Sequence, residues 1–134
     1  MKDQNKVAMG KKSRKDGLAF EKKVRADLES CGFIVAKWAN NIIDGEIKPA
    51  KNLFRFGRPM GMGNGFPDFI AFTNAEKTLD SGIKVSISQV RLVEAKLKGI
   101  LDREEKEKVE IYKKNKINVW LASGKTGEIV YTQL

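Results

Sequence analysis

Two carboxylates and a lysine stand in segments that otherwise have the composition of buried strands. Asp68 lies near the start of the apolar segment 67–73, and Glu94 and Lys96 stand near the end of a second strand-like segment. Side chains alternate between the two faces of a strand, so Glu94 and Lys96 share a face with the apolar Leu92. This face is apolar at one end and charged at the other, which makes the three charged residues candidates for chemistry.

The turn signal at residues 80–82 predicts that the two segments pair as an antiparallel hairpin. A hairpin centred on Ser81 sets Asp68 opposite Glu94. Directly opposed carboxylates repel each other, and a divalent cation between them removes that repulsion. Carboxylate oxygens are ligands that Mg²⁺ accepts while it keeps several waters of its own. Lys96, next along the same face, could orient an attacking water or balance the charge on a phosphate.

The composition limits what other chemistry is available. The chain of 134 residues contains no histidine, which excludes histidine-based activation of a nucleophile and most zinc sites. Cys31 is the single cysteine, so an intrachain disulfide is excluded. Catalysis would therefore depend on carboxylates, lysines and a hard metal ion.

The charge balance indicates a polyanionic partner. Lysine and arginine number 26 against 17 aspartates and glutamates, a formal net charge of +9. This excess favours nucleic acid over a membrane surface, and ordinary solubility is the alternative explanation. No apolar run approaches about 18 residues, so no membrane span is expected. The basic N-terminus has no apolar signal core behind it, so we expect a cytoplasmic protein, in the host cell if the gene is viral.

The hydrophobic pattern predicts one α/β domain over residues 13–134, preceded by a basic, mobile arm over residues 1–12. Ser13 with Asp16 is typical of a helix start, and Gly32 is typical of a helix end. Apolar residues between them recur at helical spacing and predict one buried face. These residues are Phe20, Val24, Leu28 and Cys31.

Strands and a second helix complete the predicted domain. The strand-like segments are 33–39, 67–73, 83–97, 117–122 and 128–132. The glycine-rich segment 40–66 is predicted to be a loop or an irregular pair of short strands. A capping-box pattern at Asp102 and Glu105 predicts a charged helix to about Asn115. Its expected buried residues are Val109 and Tyr112.

These motifs resemble a known group of enzymes. Pro67-Asp68 followed by Glu94-Ala95-Lys96 resembles the signature of the PD-(D/E)xK nuclease superfamily. Residues 14–38 resemble the first helix and strand of archaeal-type Holliday junction resolvases. Residues 94–124 are similar to the end of VRR-NUC domains, in which a glutamine commonly stands near the position of Glu105. Together the resemblance covers roughly residues 13–123.

The resemblance implies a fold, an activity and further site residues. The expected fold is a restriction-endonuclease-like core, a central mixed β-sheet flanked by helices in the order α-β-β-β-α-β. The expected activity is hydrolysis of DNA phosphodiesters by an endonuclease that uses Mg²⁺ or, in its place, Mn²⁺, with branched DNA as the leading substrate. The carbonyl of Ala95 would join Asp68 and Glu94 as a metal ligand. Glu21, at the acidic position of the first helix, would bind a second ion or a metal-bound water.

Basic side chains in the N-terminal region and in segment 40–66 are predicted to contact DNA phosphates, which position a protein without reading sequence. The predicted contact residues are Lys11, Lys12, Arg14, Lys15, Lys48, Lys51, Arg55 and Arg58. Paired cuts across a four-way junction would require a homodimer, because one chain carries one site. The segment 117–122 is a candidate interface, since Val119 and Leu121 face one way and Trp120 the other, so both faces need cover.

Alternative interpretations remain open from sequence alone. Asp68 could simply begin a strand, while Glu94 and Lys96 form a solvated ion pair. The chain could be a nucleic-acid-binding protein on a nuclease scaffold without turnover. It could also be a nuclease for linear DNA ends or a restriction-type enzyme, and the sequence does not distinguish DNA from RNA.

Overall fold

The computed structural model describes the backbone of residues 2–50, 52–55, 58–62 and 65–134, and the side chains of residues 11–50 and 65–134. Within these ranges the chain forms two helices and nine strands. The helices are α1 (Lys2–Ser30) and α2 (Arg103–Lys114). The strands are β1 (Ile34–Lys37), β2 (Asn40–Ile43), β3 (Glu46–Pro49), β4 (Asn52–Arg55), β5 (Arg58–Met62), β6 (Phe69–Thr78), β7 (Lys84–Lys96), β8 (Val119–Ser123) and β9 (Val130–Gln133).

A five-stranded mixed sheet forms the centre of the protein, with strand order β1-β6-β7-β8-β9. β7 and β8 pair in parallel, and the other neighbours pair antiparallel. α1 packs on one face of the sheet and α2 on the other, since Val93 belongs to the α1 cluster and its neighbour Leu92 to the α2 cluster. The architecture is therefore mixed α/β, with a central mixed sheet flanked by two helices.

The first helix starts earlier than the sequence predicts. The backbone is helical from Lys2, so the expected start at Ser13 is wrong, and Asp16 also lies inside α1. Residues 2–12, predicted as an arm, consist largely of good helix formers such as lysine, alanine, methionine and glutamine, without proline. Their propensity continues the helix past the Ser13 signal, because a capping residue favours a helix start without excluding a helix interior.

The end of α1 explains why one residue predicted to be buried is exposed. Phe20, Val24 and Leu28 are buried as predicted, but Cys31 is exposed and follows the helix. Gly32 adopts a left-handed φ of 92°, which glycine tolerates without a steric penalty. The chain therefore leaves the helical path one residue before it, and Cys31 no longer shares the buried face.

The long hairpin that was predicted from the 80–82 turn is present. β6 and β7 pair from Phe69 opposite Val93 to Thr78 opposite Lys84, which is the register centred on Ser81. Gly82 supplies the positive φ, 82°, that closes the turn. β6 extends to Thr78, beyond the predicted limit at residue 73, because it stays paired with β7 along its length.

The glycine-rich segment 40–66 contains two short hairpins. β2 pairs with β3, and β4 pairs with β5 with an irregularity in the register. Asp44 and Gly45, between β2 and β3, have φ values of 53° and 77°, as a two-residue hairpin turn requires. The expected pair of short strands is thus present twice.

β8 is an interior strand, which contradicts its proposed place at a dimer interface. It lies between β7 and β9. Val119 and Leu121 pack in the cluster that contains α2, and Trp120 packs against the cluster that contains α1. Both faces of β8 are therefore covered within the chain. Among the described residues, neither helix has a stretch long and apolar enough to cross a membrane.

Candidate active site

Asp68 and Glu94 meet at one end of the central sheet, as the hairpin register predicts. Asp68 immediately precedes Phe69, the first residue of β6, and Phe69 lies opposite Val93. Asp68 Oδ2 accepts a hydrogen bond of 2.8 Å from the backbone N–H of Ala95. The Asp68 and Glu94 carboxyl groups lie close enough to interact directly, and this interaction favours a proton on Glu94.

Glu94 is an unusual carboxyl group because it is buried beside a second one. Its residue surface is only 5% exposed. Burial, the hydrogen bond with Asp68 and the charge of Asp68 raise the pKa of Glu94 from 4.5 to about 10, and Lys96 opposes this rise. Without a cation, Glu94 therefore retains its proton at neutral pH. The interpretation as a solvated ion pair with Lys96 is wrong for Glu94, which water hardly reaches.

Lys96 is held by a different carboxylate. Its Nζ lies 2.7 Å from Glu105 Oε2, and the two side chains are 33% and 15% exposed. Desolvation is the largest single influence and lowers the pKa of Lys96, but the Glu105 hydrogen bond and the charges of Glu94, Glu105 and Asp68 together raise it. Lys96 is thus a positioned cation at neutral pH, suited to electrostatic stabilisation.

Glu105 connects the start of α2 to Lys96. Asp102 and Glu105 form the predicted capping box: Asp102 accepts from the Glu105 N–H at 2.8 Å, and Glu105 Oε1 accepts from the Asp102 N–H at 3.0 Å. The other oxygen of the same carboxylate contacts Lys96. One side chain therefore fixes both the helix start and the lysine. The sequence identified its capping role and missed its contact with Lys96.

Glu21 approaches the same site from α1. It lines a cavity of about 330 Å³ together with Asp68, Lys37 and Leu18. Burial and the charge of Asp68 raise the pKa of Glu21, while Lys37 and Lys96 lower it. The structure thus brings Glu21 into the electrostatic field of Asp68, which agrees with its predicted position.

Tight packing holds the segment that carries Asp68. A Cβ atom on Gly65 would lie 2.0 Å from the backbone oxygen of Trp38, so only glycine fits there. The Trp38 N–H donates to the Asp68 carbonyl at 3.0 Å. The Tyr112 hydroxyl of α2 donates to the Phe66 carbonyl and accepts from Trp38 Nε1. α2 therefore supports both segments that carry the carboxylates, through Tyr112 and through Glu105.

The donor set fits a hard divalent cation. Asp68 and Glu94 offer carboxylate oxygens side by side, and Ala95, which follows Glu94 and bonds to Asp68 through its N–H, adds a backbone carbonyl. No group of three or more acidic, cysteine or histidine side chains lies close enough to hold a metal among the described residues. Mg²⁺ needs no such group, since it is commonly bound through one or two carboxylates and retains waters.

The predicted phosphate-contacting residues are spread over two regions. Lys11, Lys12, Arg14 and Lys15 are exposed on α1. Lys48 is exposed on β3 and forms an ion pair of 3.3 Å with Glu46. Lys51 and the side chains of Arg55 and Arg58 lie outside the described residues.

Lys37 in the cavity is a basic site residue that the sequence did not reveal, because its place depends on how β1 pairs with β6.

Comparison with protein-family models, with curated proteins and with solved structures found no match to this chain.

Proposed function

We propose that this protein is a metal-dependent endonuclease that hydrolyses phosphodiester bonds in DNA. The observation that carries the proposal is the buried Glu94 carboxyl group, which lies beside Asp68, itself bonded to the Ala95 N–H, and near the positioned cation of Lys96. A protein gains nothing in stability from opposed carboxylates. Such groups are typical of functional sites, where a ligand offsets their repulsion.

The fold supports this proposal and its family resemblance. The helices and central strands occur along the chain in the order α1, β1, β6, β7, α2, β8, followed by β9. This order agrees with the α-β-β-β-α-β core that a restriction-endonuclease-like protein would have. The resemblance of Pro67-Asp68 and Glu94-Ala95-Lys96 to the nuclease signature falls on the strand ends where these carboxylates meet.

The residues divide the chemistry between them. Asp68, Glu94 and the Ala95 carbonyl would hold Mg²⁺, or Mn²⁺ in its place. When bound, the ion polarises the phosphate and favours ionisation of a water molecule. Lys96, fixed by Glu105, would orient the attacking water and stabilise negative charge on the phosphate in the transition state. Hydrolysis forms a bond from the water oxygen to phosphorus and breaks one phosphate ester bond.

Branched DNA is the substrate that we propose, with a homodimer as the active form. Each chain has one Asp68–Glu94 pair, and resolution of a four-way junction needs two cuts on opposing strands. Two copies related by a two-fold axis would supply them. The formal net charge of +9 would favour binding to the phosphates of either DNA strand.

Conservative substitutions of the two carboxylates test the activity. Asp68→Asn or Glu94→Gln should lower the cleavage rate at least about 100-fold, because each removes a charged ligand of the ion. DNA affinity should stay equal or increase, since a charge that repels phosphate is gone. Gel-based cleavage in Mg²⁺, with binding measured in Ca²⁺, checks both expectations. Near-normal turnover by either variant would refute the assignment, and binding without any cleavage by the natural chain would favour a non-catalytic DNA-binding protein.

A further inference from the structure

The cations of α1 are not evenly distributed around the helix. A helix advances about 100° per residue. Measured from Glu21, Arg14 lies at about 20°, Lys11 at about 80° and Lys22 at about 100° around the axis, all toward the same side. Lys23 lies at about 160° on the opposite side. Lys15, at about 120°, adds to the first side, and Lys12 lies at about 180°. The side chains of these cations are exposed, so the helix presents one basic flank beside Glu21.

This flank faces β1 and the cavity of the candidate active site. Leu18 and Glu21 line the cavity from α1. One turn further along, Arg25 Nη2 donates to the Val35 carbonyl of β1 at 3.1 Å. Lys37, two residues after Val35, lines the same cavity from the strand. The basic flank and Lys37 therefore border one opening, which leads to Asp68.

We infer that Lys11, Arg14, Lys22 and Lys37 form a phosphate track, which guides one backbone of duplex DNA into the cavity. This inference rests on the proposed function, because the Asp68–Glu94 pair at the end of the track is where that strand would be cut. Lys11 and Lys22 are about 16 Å apart along the axis of α1. That length matches about five phosphates of one DNA strand, which are spaced about 3.4 Å apart along the duplex.

A nucleic-acid backbone suits the track better than a protein partner does. Three of its members are long cationic side chains on α1 and the fourth, Lys37, lies on β1. A series of cations is the counterpart of the repeated negative charges that a phosphate backbone offers. Leu18, which is 60% exposed between the cations and the cavity, adds an apolar surface for sugar atoms. Such contacts hold DNA of any sequence, as a nuclease selective for DNA shape requires.

A matched pair of double variants tests the track. Lys22→Gln/Lys37→Gln removes two track cations, and Lys23→Gln/Lys114→Gln removes two exposed lysines elsewhere with the same change in net charge. Lys114 lies in the last turn of α2, at the end opposite Glu105. The slope of log affinity against log salt is measured for a short duplex in Ca²⁺. The track variant should have a slope shallower by about 1.8, at about 0.9 per lost contact, and the control should keep the slope of the natural chain.

The outcomes separate this inference from the proposed activity. An equal loss of slope in both doubles, or no loss in either, would overturn the track. If the natural chain still cleaves DNA in Mg²⁺ in that case, the nuclease proposal stands without it. A loss confined to Lys22→Gln/Lys37→Gln supports the track even if no cleavage is found, and the proposed activity then fails alone. Thermal unfolding of each variant confirms that it is folded.

Discussion

At the residue scale, the protonated state of Glu94 governs the site. A carboxyl group with its pKa near 10 beside a second carboxylate is the arrangement of two acids that cannot both ionise without a counter-charge. A divalent cation that binds both groups would have to displace the proton. The candidate site is therefore linked to pH through one identifiable group.

Protein stability without divalent cations should depend on this group. Glu94 ionises near 4.5 when unfolded and near 10 when folded, so between these values the folded state binds more protons. The free energy of unfolding should therefore fall as pH rises from about 5 toward 10, by at most about 1.4 kcal/mol per pH unit. Urea unfolding with a chelator at pH 6 and pH 9 measures this. Glu94→Gln should weaken the dependence, and an identical pH slope in both proteins would contradict the protonated state of Glu94.

The contact between Glu105 and Lys96 makes a separate prediction. Glu105→Gln keeps an oxygen that can accept from the Asp102 N–H, but it removes the charge that raises the pKa of Lys96. We expect kcat to fall about 10- to 100-fold, and its alkaline limit to move to lower pH.

Glu107→Gln is the matched control for that variant, because Glu107 pairs only with the exposed Arg103 in the structure as described. A pH profile of kcat for both variants and the natural chain makes the comparison. If Glu105→Gln lowers kcat without moving the alkaline limit, Glu105 supports the fold and does not tune Lys96.

The sequence revealed the residues whose positions depend on local pairing. Asp68 and Glu94 belong to one hairpin, so a turn signal and strand alternation are enough to oppose them. Lys37 and the Lys96–Glu105 contact depend on how β1 and α2 pack on the sheet. Those contacts join residues of different secondary-structure elements, and no local spacing in the sequence encodes them.

At the element scale, the contrast between local signals and packing explains which sequence predictions are confirmed and which are wrong. The capping box of α2, its buried Val109 and Tyr112, and the β6–β7 register follow from short-range rules, and all are confirmed. The start of α1 was misplaced because helix propensity before Ser13 outweighs a single capping signal. The interface predicted for β8 was wrong because β7 and β9 flank that strand and the clusters of α1 and α2 cover its faces.

Close packing of the segment before Asp68 can be tested with alanine. Gly65→Ala should lower the free energy of unfolding by about 1–3 kcal/mol, because its Cβ would overlap the Trp38 carbonyl, and it should also reduce cleavage by displacing Asp68. Gly17→Ala is the control, since no atom lies within 4 Å of its Cβ position inside α1. That variant should raise stability by about 0.5–1 kcal/mol. Denaturant titrations of both variants measure the difference, and equal effects would contradict the described packing at Gly65.

At the scale of the whole molecule, one acidic site lies beside a basic surface. The two helices lie on opposite faces of the sheet, and each supplies residues to the same strand ends: Glu21 from α1 and Glu105 from α2. The net charge of +9 favours association with a polyanion such as DNA, and under the proposed function a backbone would be cut only at the carboxylate pair. A second copy is needed for paired cuts, and the interior position of β8 means that another surface would form the dimer.

The most direct test of the central claim is cleavage by the natural chain of end-labelled DNA substrates matched in sequence: a linear duplex, a flap and a four-way junction. We expect cutting in Mg²⁺ or Mn²⁺, none with a chelator, and a faster reaction on the junction, with cuts on opposing strands. Equal cutting of all three substrates would refute the preference for branched DNA and leave the nuclease assignment in place. Intact substrates in both metal ions, with a folded protein that binds them, would contradict the account of Asp68, Glu94 and Lys96 as a hydrolytic site.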